Sequence, residues 1–491
     1  LHDFESGHDH YKHQTALDIL SLLDNHTLSK RRLRPTLARD LLRAAKHDTL
    51  EEWFNELPSR ANAAHKADLI RTKLQGLLEI SEPQVPTPIT YDETATRPFE
   101  EAWWNDIALL SHGLYVNKDN ADVVDDPQTR ARLVHPQRDL DALGDYLIAR
   151  HRQAIAEARL GSQPAVCGDL PFRWKTDFDF PEYGGWRSNQ ENETRERDIL
   201  LVIPGKNRHE AVVMADHYDT AYMEDVFEPS RGGSGARLSA AGADDNHSAT
   251  ATLLQAAPIF LKLAREGRLE RDVWLLHLTG EEFPADCLGA RHFSQLLVER
   301  KLWMRLGGGD DKPANPHDKN WLDLSETRVV GLLVMDMIAH NRDDAQDIFQ
   351  ISPGKSAEAF HVAEQAHLAT MVWNSNAPQW NRQGDRRGKG RGKRSADGIT
   401  MPAIALHPLL HGEVRTADNP RSSLYNTDGQ IFSDVGIPGI LVMENYDINR
   451  EGYHDSHDTL DNIDLDYGSA VSAIAIETIA RLATARNSQK E

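Results

Sequence analysis

"VVGLLVMDMI", residues 329–338, is apolar at nearly every position and shows no alternation of apolar and polar side chains. A strand with one wet face alternates, whereas a continuous run of Val, Leu and Met suits a strand covered on both faces. Asp336 interrupts the run near its end. A carboxylate there is costly unless it is paired or bound to a metal. The stretch therefore raises two linked questions: which sheet holds it, and what holds Asp336.

Runs of the same kind occur at 199–204 ("ILLVIP"), 211–216 ("AVVMAD"), 272–280 ("DVWLLHLTG") and 439–444 ("GILVME"). The first two are close enough in sequence to be neighbouring strands. Helical stretches at 247–266, 287–302 and 467–485 are interspersed with them. This alternation predicts an α/β fold, a three-layer α/β/α sandwich with a mixed, mostly parallel central sheet. Upstream, residues 14–80 repeat apolar side chains at spacings of three and four, and "SEPQVPTPIT" (81–90) breaks the pattern with three prolines. A further helix is expected over 139–160. The expected organisation is a helical N-terminal region, 1–133, followed by the α/β domain, 134–491. Trp103 and Trp104 are read as packing elements. Within the α/β domain, a basic Gly/Arg-rich loop covers about 377–400, centred on "NRQGDRRGKGRGKR" (381–394). It reads as a solvated loop, with a patch for an anionic partner or a substrate rim as the sharper alternative.

With 491 residues, the chain is too long for one small core. Its formal charge of −21 argues against nucleic-acid binding, because phosphates would be repelled. No apolar run is long enough to span a membrane. Cys167 and Cys287 are too few for a cysteine-based zinc site; one bridge and two buried thiols both stay open. Triplets at Asn25 and Asn192 match glycosylation sequons, a pattern that often arises by chance. The chain starts at Leu1 without an apolar signal core, so a removed leader and a trimmed start are both open. A secreted or periplasmic location is favoured over a cytoplasmic one.

In open α/β sheets, ligands bind beyond the carboxyl ends of the strands. His217 and Asp219 follow one predicted strand, Glu281 and Glu282 another, and His454 and His457 a third, while Asp336 lies late in its own. Asp244 and Asp245 stand at the mouth of the helix that begins near 247. Each signal alone is weak, but together they form an imidazole and carboxylate set that suits zinc, and also manganese, cobalt or iron. Two His with several carboxylates are enough for two ions sharing a carboxylate. Asp219 is spaced to accept the second N–H of His217. Of Glu281 and Glu282, one can bind metal while the other faces water as general base. Asp244 is read as a helix cap or a surface carboxylate. His277, His340, His407 and His411 are read as structural.

"HYD" (217–219), "GADDNHSA" (242–249), "TGEE" (279–282), "MDMI" (335–338) and "YHDSHDT" (453–459) follow the order and approximate spacing of the M28 family of zinc aminopeptidases. The resemblance covers about 165–485. It implies that His217 and Asp336 hold one zinc ion, that Glu282 and His454 hold a second, and that Asp245 bridges them. It further implies Glu281 as the base and Tyr453 as a group stabilising the oxyanion. The family register selects His454 over His457. The implied function is a di-zinc metallo-exopeptidase, an aminopeptidase hydrolysing the N-terminal peptide bond by a metal-bridging hydroxide. Its substrate would be a peptide or small amide with a free N-terminus. Manganese or cobalt could substitute for zinc. A single-zinc acyltransferase resembling glutaminyl cyclases is the alternative, as is a non-catalytic binding module. The intact His217–Asp336 pair argues against the first and the complete ligand set against the second. Three departures from the family pattern bear on substrate choice. Six residues separate Glu282 from Gly289, Ala249 stands where Gly is frequent, and the stretch from Asp219 to Asp245 is long and Gly-rich. Removing the Asp245 carboxylate is expected to disturb both metals, and removing that of Asp244 neither.

Overall fold

The computed structural model describes residues 86–111, 139–161, 164–174, 194–233, 239–283, 285–307, 318–341, 346–383, 406–446 and 450–485. Contacts divide the chain into units 1–85 and 86–491, and only the second contains described residues. The helices expected over 14–80, the sequons at Asn25 and Asn192, and the basic loop beyond residue 383 lie outside them.

In chain order, the helices are α1 (Tyr91–Thr94), α2 (Arg97–Ser111), α3 (Asp139–Ala158), α4 (Glu224–Phe227), α5 (His247–Arg265), α6 (Leu288–Val298), α7 (Ala357–Gln383), α8 (Asp428–Asp434) and α9 (Leu465–Thr484). The strands are β1 (Val166–Trp174), β2 (Thr194–Ile203), β3 (Asn207–His217), β4 (Arg271–Leu278), β5 (Trp303–Arg305), β6 (Trp321–Asp323), β7 (Arg328–Asp336), β8 (Ile348–Pro353), β9 (His411–Val414) and β10 (Gly439–Glu444). They form one sheet in the order β6-β5-β1-β2-β4-β3-β7-β10-β8-β9.

The sheet is mixed. The central strands β4, β3, β7 and β10 are mutually parallel, as are β8 and β9. The β6-β5-β1-β2 side is antiparallel throughout and joins β4 antiparallel. Parallel pairing is therefore concentrated in the centre, with one further parallel pair at the β9 edge, which β8 joins to β10 antiparallel. One expectation is corrected. The runs at 199–204 and 211–216 are not neighbours, because β4 inserts between β2 and β3. A short connection favours adjacency, but β4 takes the hydrogen-bonding edges of both strands.

The continuous apolar runs have the expected cause. Ile199, Leu201, Val212, Met214, Leu333 and Met335 face one core, with α3, α5, α7 and α9. The alternate residues Leu200, Val202, Val213, Ala215, Leu332 and Val334 face the other, with α6 and α8. Each large apolar side chain so buried contributes about 1.5–3 kcal/mol.

Residues 89–111 pack into this unit rather than standing apart from it. The backbone N–H of Thr90 donates to the buried Glu477 carboxylate on α9 at 2.8 Å. Trp103 is fully buried and its indole N–H donates to the Ser248 carbonyl and the Thr252 hydroxyl on α5. Gly468 makes room for it, since a Cβ there would stand 2.5 Å from the Trp103 ring. Cys167 and Cys287 are both buried free thiols.

Candidate metal centre

The parallel strands deliver their side chains to one edge. His217 ends β3 and Asp336 ends the neighbouring β7, with His217 Nε2 3.4 Å from Asp336 Oδ1. Asp245 enters from the mouth of α5. Its Oδ1 lies 3.4 Å from His217 Nε2 and its Oδ2 3.3 Å from His454 Nε2. Glu282, just beyond β4, brings Oε2 to 3.4 Å from His454 Nε2. Glu281 beside it points Oε2 at His217 Nε2 from 4.0 Å. The structure thus brings together all five residues expected to bind metal, with Glu281, the expected base, beside them. Two trios, His217 with Glu281 and Asp336, and His217 with Asp245 and Glu282, have ligating atoms mutually within 4.8 Å. The pair distances place His454 beside the second.

Local structure explains how Asp245 arrives. Gly242 has φ +67°, and a Cβ there would stand 2.2 Å from the Thr220 methyl. The turn it makes leads through Asp244 and Asp245 into α5, whose N-cap is Asn246. The Asp245 and Asp244 N–H groups both donate to the Asp458 carboxylate, at 3.2 and 2.9 Å. Asn246 spans to the end of β7, donating to the Met335 carbonyl at 2.9 Å and accepting from Met337 N–H at 3.1 Å. It is fully buried.

Two expectations change here. Asp244 is neither a cap nor a surface group. It is completely buried, accepts the Ala339 N–H at 2.9 Å and pairs with Arg450 at 2.9 Å. The N-cap position is Asn246, whose side chain makes no capping bond, and the Asp244 carboxylate joins a charge network instead. Its removal should therefore not be silent. Asp219 does less for His217 than its spacing suggested. His217 Nδ1 is 3.2 Å from the Asp219 carbonyl oxygen and 3.7 Å from its carboxylate. That carboxylate accepts the N–H groups of Glu281 and Glu282, at 3.3 and 3.1 Å. Asp219 thus fixes the loop carrying both glutamates.

His454 sits on a loop with φ +51°, a left-handed conformation uncommon outside glycine. Its carbonyl accepts the Glu224 N–H at 2.8 Å, and Glu224 Oε1 lies 3.8 Å from its Nδ1. Tyr453 stacks on its ring with centroids 3.9 Å apart, and Tyr446 meets Tyr453 edge-on. His457 is 61% exposed and faces Glu451. His277 is buried between Asp216 and His151, at 2.8 Å from each. His407 is buried 3.6 Å from Glu100. His340 is half-buried, and His411 is exposed at the start of β9.

Several residues at the site carried no sequence signal. Glu224 reaches it from the 220–239 stretch. Asp428, at the start of α8, is buried beside Cys287 and Asp219. Burial raises its pKa to about 8; Asp219 and Asp336 add to the rise, and His217 opposes it. Cys287 Sγ donates to Glu281 Oε1 at 3.8 Å. Only Asp458 could have been found, within the His454 motif.

Burial raises Glu281 and Glu282 well above the carboxylate range; their nearest imidazoles, His217 and His454, oppose the rise. For Asp245 burial also acts upward, but the two facing imidazoles outweigh it and hold its pKa low. Burial would depress both histidines; the surrounding carboxylates, Glu281 for His217 and Glu282 for His454, raise them instead. Among the described residues, Asp219, Asp245, Glu281, Glu282, Asp336 and Asp428 gather around two imidazoles, so their ionisation together would leave an excess of negative charge. Buried charge of one sign calls for a counter-charge. Glu282 Oε1 has no hydrogen-bond partner among the described residues. The 3.3–3.4 Å separations are long for hydrogen bonds. They match what two atoms about 2.0–2.1 Å from one tetrahedral ion must show, about 3.3–3.4 Å. The donor set fits divalent metal.

The sequence profile described as Peptidase family M28 matches residues 198–388. A comparison with curated proteins finds no match. Among solved structures, the chain is similar to the LapA aminopeptidase of Legionella pneumophila, with 14% identity, 92% of this chain and 89% of that one covered, and a TM-score of 0.46. It is similar to a leucine aminopeptidase precursor from Bacteroides thetaiotaomicron, with 13% identity, coverage of 81% and 98%, and a TM-score of 0.44. It is also similar to the Porphyromonas gingivalis glutaminyl cyclase, with 14% identity, coverage of 78% and 98%, and a TM-score of 0.46. The stretch matched by the M28 peptidase profile holds His217, Asp245, Glu281, Glu282 and Asp336.

Proposed function

We propose that the protein is a metal-dependent exopeptidase, an aminopeptidase acting on peptides or small amides with a free N-terminus. The observation that carries this reading is the position of Asp245, whose two carboxylate oxygens face different imidazoles at 3.4 and 3.3 Å. His217, Asp336 and Asp245 Oδ1 would hold one zinc ion, and His454, Glu282 and Asp245 Oδ2 a second. Such paired ions acidify water and polarise a carbonyl.

The protein's own groups supply the rest. Glu281 Oε2, directed inward, takes the proton of the attacking water and returns it to the departing amine nitrogen. Its burial favours a carboxyl able to hold that proton. The Tyr453 phenol, its pKa pushed up by burial, stays protonated and is available to donate to the oxyanion. Asp219 keeps the two glutamates on their separate tasks through their backbone N–H groups. The carboxylate excess suits the ammonium of a free N-terminus.

The test is a screen of aminoacyl amides, dipeptides and N-terminal glutaminyl peptides on full-length protein of measured metal content, with and without chelator. Chelator-sensitive release of N-terminal residues by protein holding two zinc ions is expected. One zinc per chain with cyclisation of glutaminyl peptides, and no hydrolysis, would replace this reading with the acyltransferase one.

A further inference from the structure

Arg450 lies four residues before His454 and is buried, its side chain 3% exposed. Its Nε forms an ion pair with Glu444 Oε1 at 2.8 Å, and its Nη2 donates to Asp244 Oδ2 at 2.9 Å. Nη1 donates to the Gly452 carbonyl oxygen at 2.8 Å, and Nη2 also meets Met337 Sδ at 3.4 Å. Both carboxylates are as buried as the guanidinium. Each also holds backbone: Asp244 accepts the Ala339 N–H at 2.9 Å and Glu444 the His340 N–H at 2.8 Å.

These partners share a property. Asp244 precedes Asp245, Met337 follows Asp336, and Gly452 lies two residues before His454. One planar fork therefore touches all three segments that bring Asp245, Asp336 and His454 together. A buried ionic triad is weak evidence for stability, since apolar packing of the same volume often serves as well. What the fork adds is fixed geometry between separate segments. The His454 segment needs it, because His454 holds a left-handed conformation outside any helix or strand.

We infer that Arg450 is a positioning residue for the metal centre. It holds the His454 loop against Asp244–Asp245 at the separation that lets one carboxylate face two ions. Its loss weakens metal binding, first on the His454 side. This rests on reading the cluster as a metal site.

The experiment measures zinc stoichiometry and affinity by chelator competition on full-length wild type, Arg450→Met, Arg450→Lys and Arg305→Met. Arg305 is the matched control: it pairs with Asp169 at 2.7 and 2.9 Å, nearly as buried, on the antiparallel side of the sheet. Expected for both Arg450 variants is a 10–100-fold loss of affinity for one zinc, the size usual when a group orienting a metal ligand is removed. Their metal-free thermal midpoints should fall no further than that of Arg305→Met. Lysine keeps the charge but cannot span both carboxylates and the carbonyl, so it decides the matter if the methionine variant does not fold. Wild-type affinity in Arg450→Lys, or an equal affinity loss in Arg305→Met, overturns the inference. Failure of both Arg450 variants to fold assigns the residue to the fold and overturns it too. If wild type binds no zinc, the metal reading itself fails, whereas two tight zinc ions in every variant defeat the inference alone.

Discussion

The two halves of the proposed metal centre are built in different ways. On the first, His217 and Asp336 end adjacent parallel strands, and the hydrogen-bond register of β3 and β7 sets their spacing. His217 is 1% exposed there. On the second, His454 comes from a loop and is 22% exposed. That loop is tied down by Glu224 at the His454 carbonyl, by Asp455 at the N–H groups of Gly452 and His457, and by Arg450. The lesson is that a strand end needs little help beyond the sheet, whereas a loop ligand depends on each side chain that clamps it.

The comparison can be broken most severely at Asp245, which both halves share. Asp245→Ala should abolish retention of both ions and take turnover to background. An elemental analysis still showing one full equivalent would mean that the halves do not share this carboxylate. Next in size, Glu281→Gln leaves both halves standing. It should lower kcat by about 10²–10⁴ with the metal content unchanged, and undiminished turnover would remove Glu281 as the base. A smaller effect separates the halves. Graded chelation of wild type should remove one ion before the other, and His454→Ala should lack the early-released ion while keeping the other. Loss of both ions together would contradict two independently built halves. Smallest of all, Glu224→Gln should weaken one ion by about tenfold, the low end for a group behind a ligating histidine. His457→Ala, altering an exposed ring, serves as its reference and should match wild type in metal titration.

Legibility followed a related division, between residues that end strands or lie in motifs and residues in plain loops. His217, Glu282 and Asp336 stood out because each ends or follows an apolar run that suits a doubly covered strand. Glu224, Asp428 and Cys287 gave no such signal. They reach the site from loops and helix starts, Cys287 six residues beyond Glu281 and Asp428 far along the chain, and an acidic or thiol side chain in such a place is ordinary. Asp244 and Asp245 show the limit most plainly. Adjacent and chemically identical, one faces two imidazoles and the other a guanidinium 206 positions further along the chain. The family register, not the residues themselves, chose between them.

By itself the sequence determined the layered α/β fold, because strands buried on both faces must read as continuous apolar runs. It also determined which strand ends carry His, Asp and Glu. The order of the strands was decided only in the tertiary structure, where β4 separates two strands that are near in sequence. The division of labour behind the site was decided there as well: Asp219 holding the glutamates, Asp458 holding the Asp244–Asp245 backbone, Arg450 joining three segments. The reason is physical. Burial on two faces is a local demand that each segment's composition must meet, whereas the partner of a buried charge is whichever group the finished fold brings within about 3 Å.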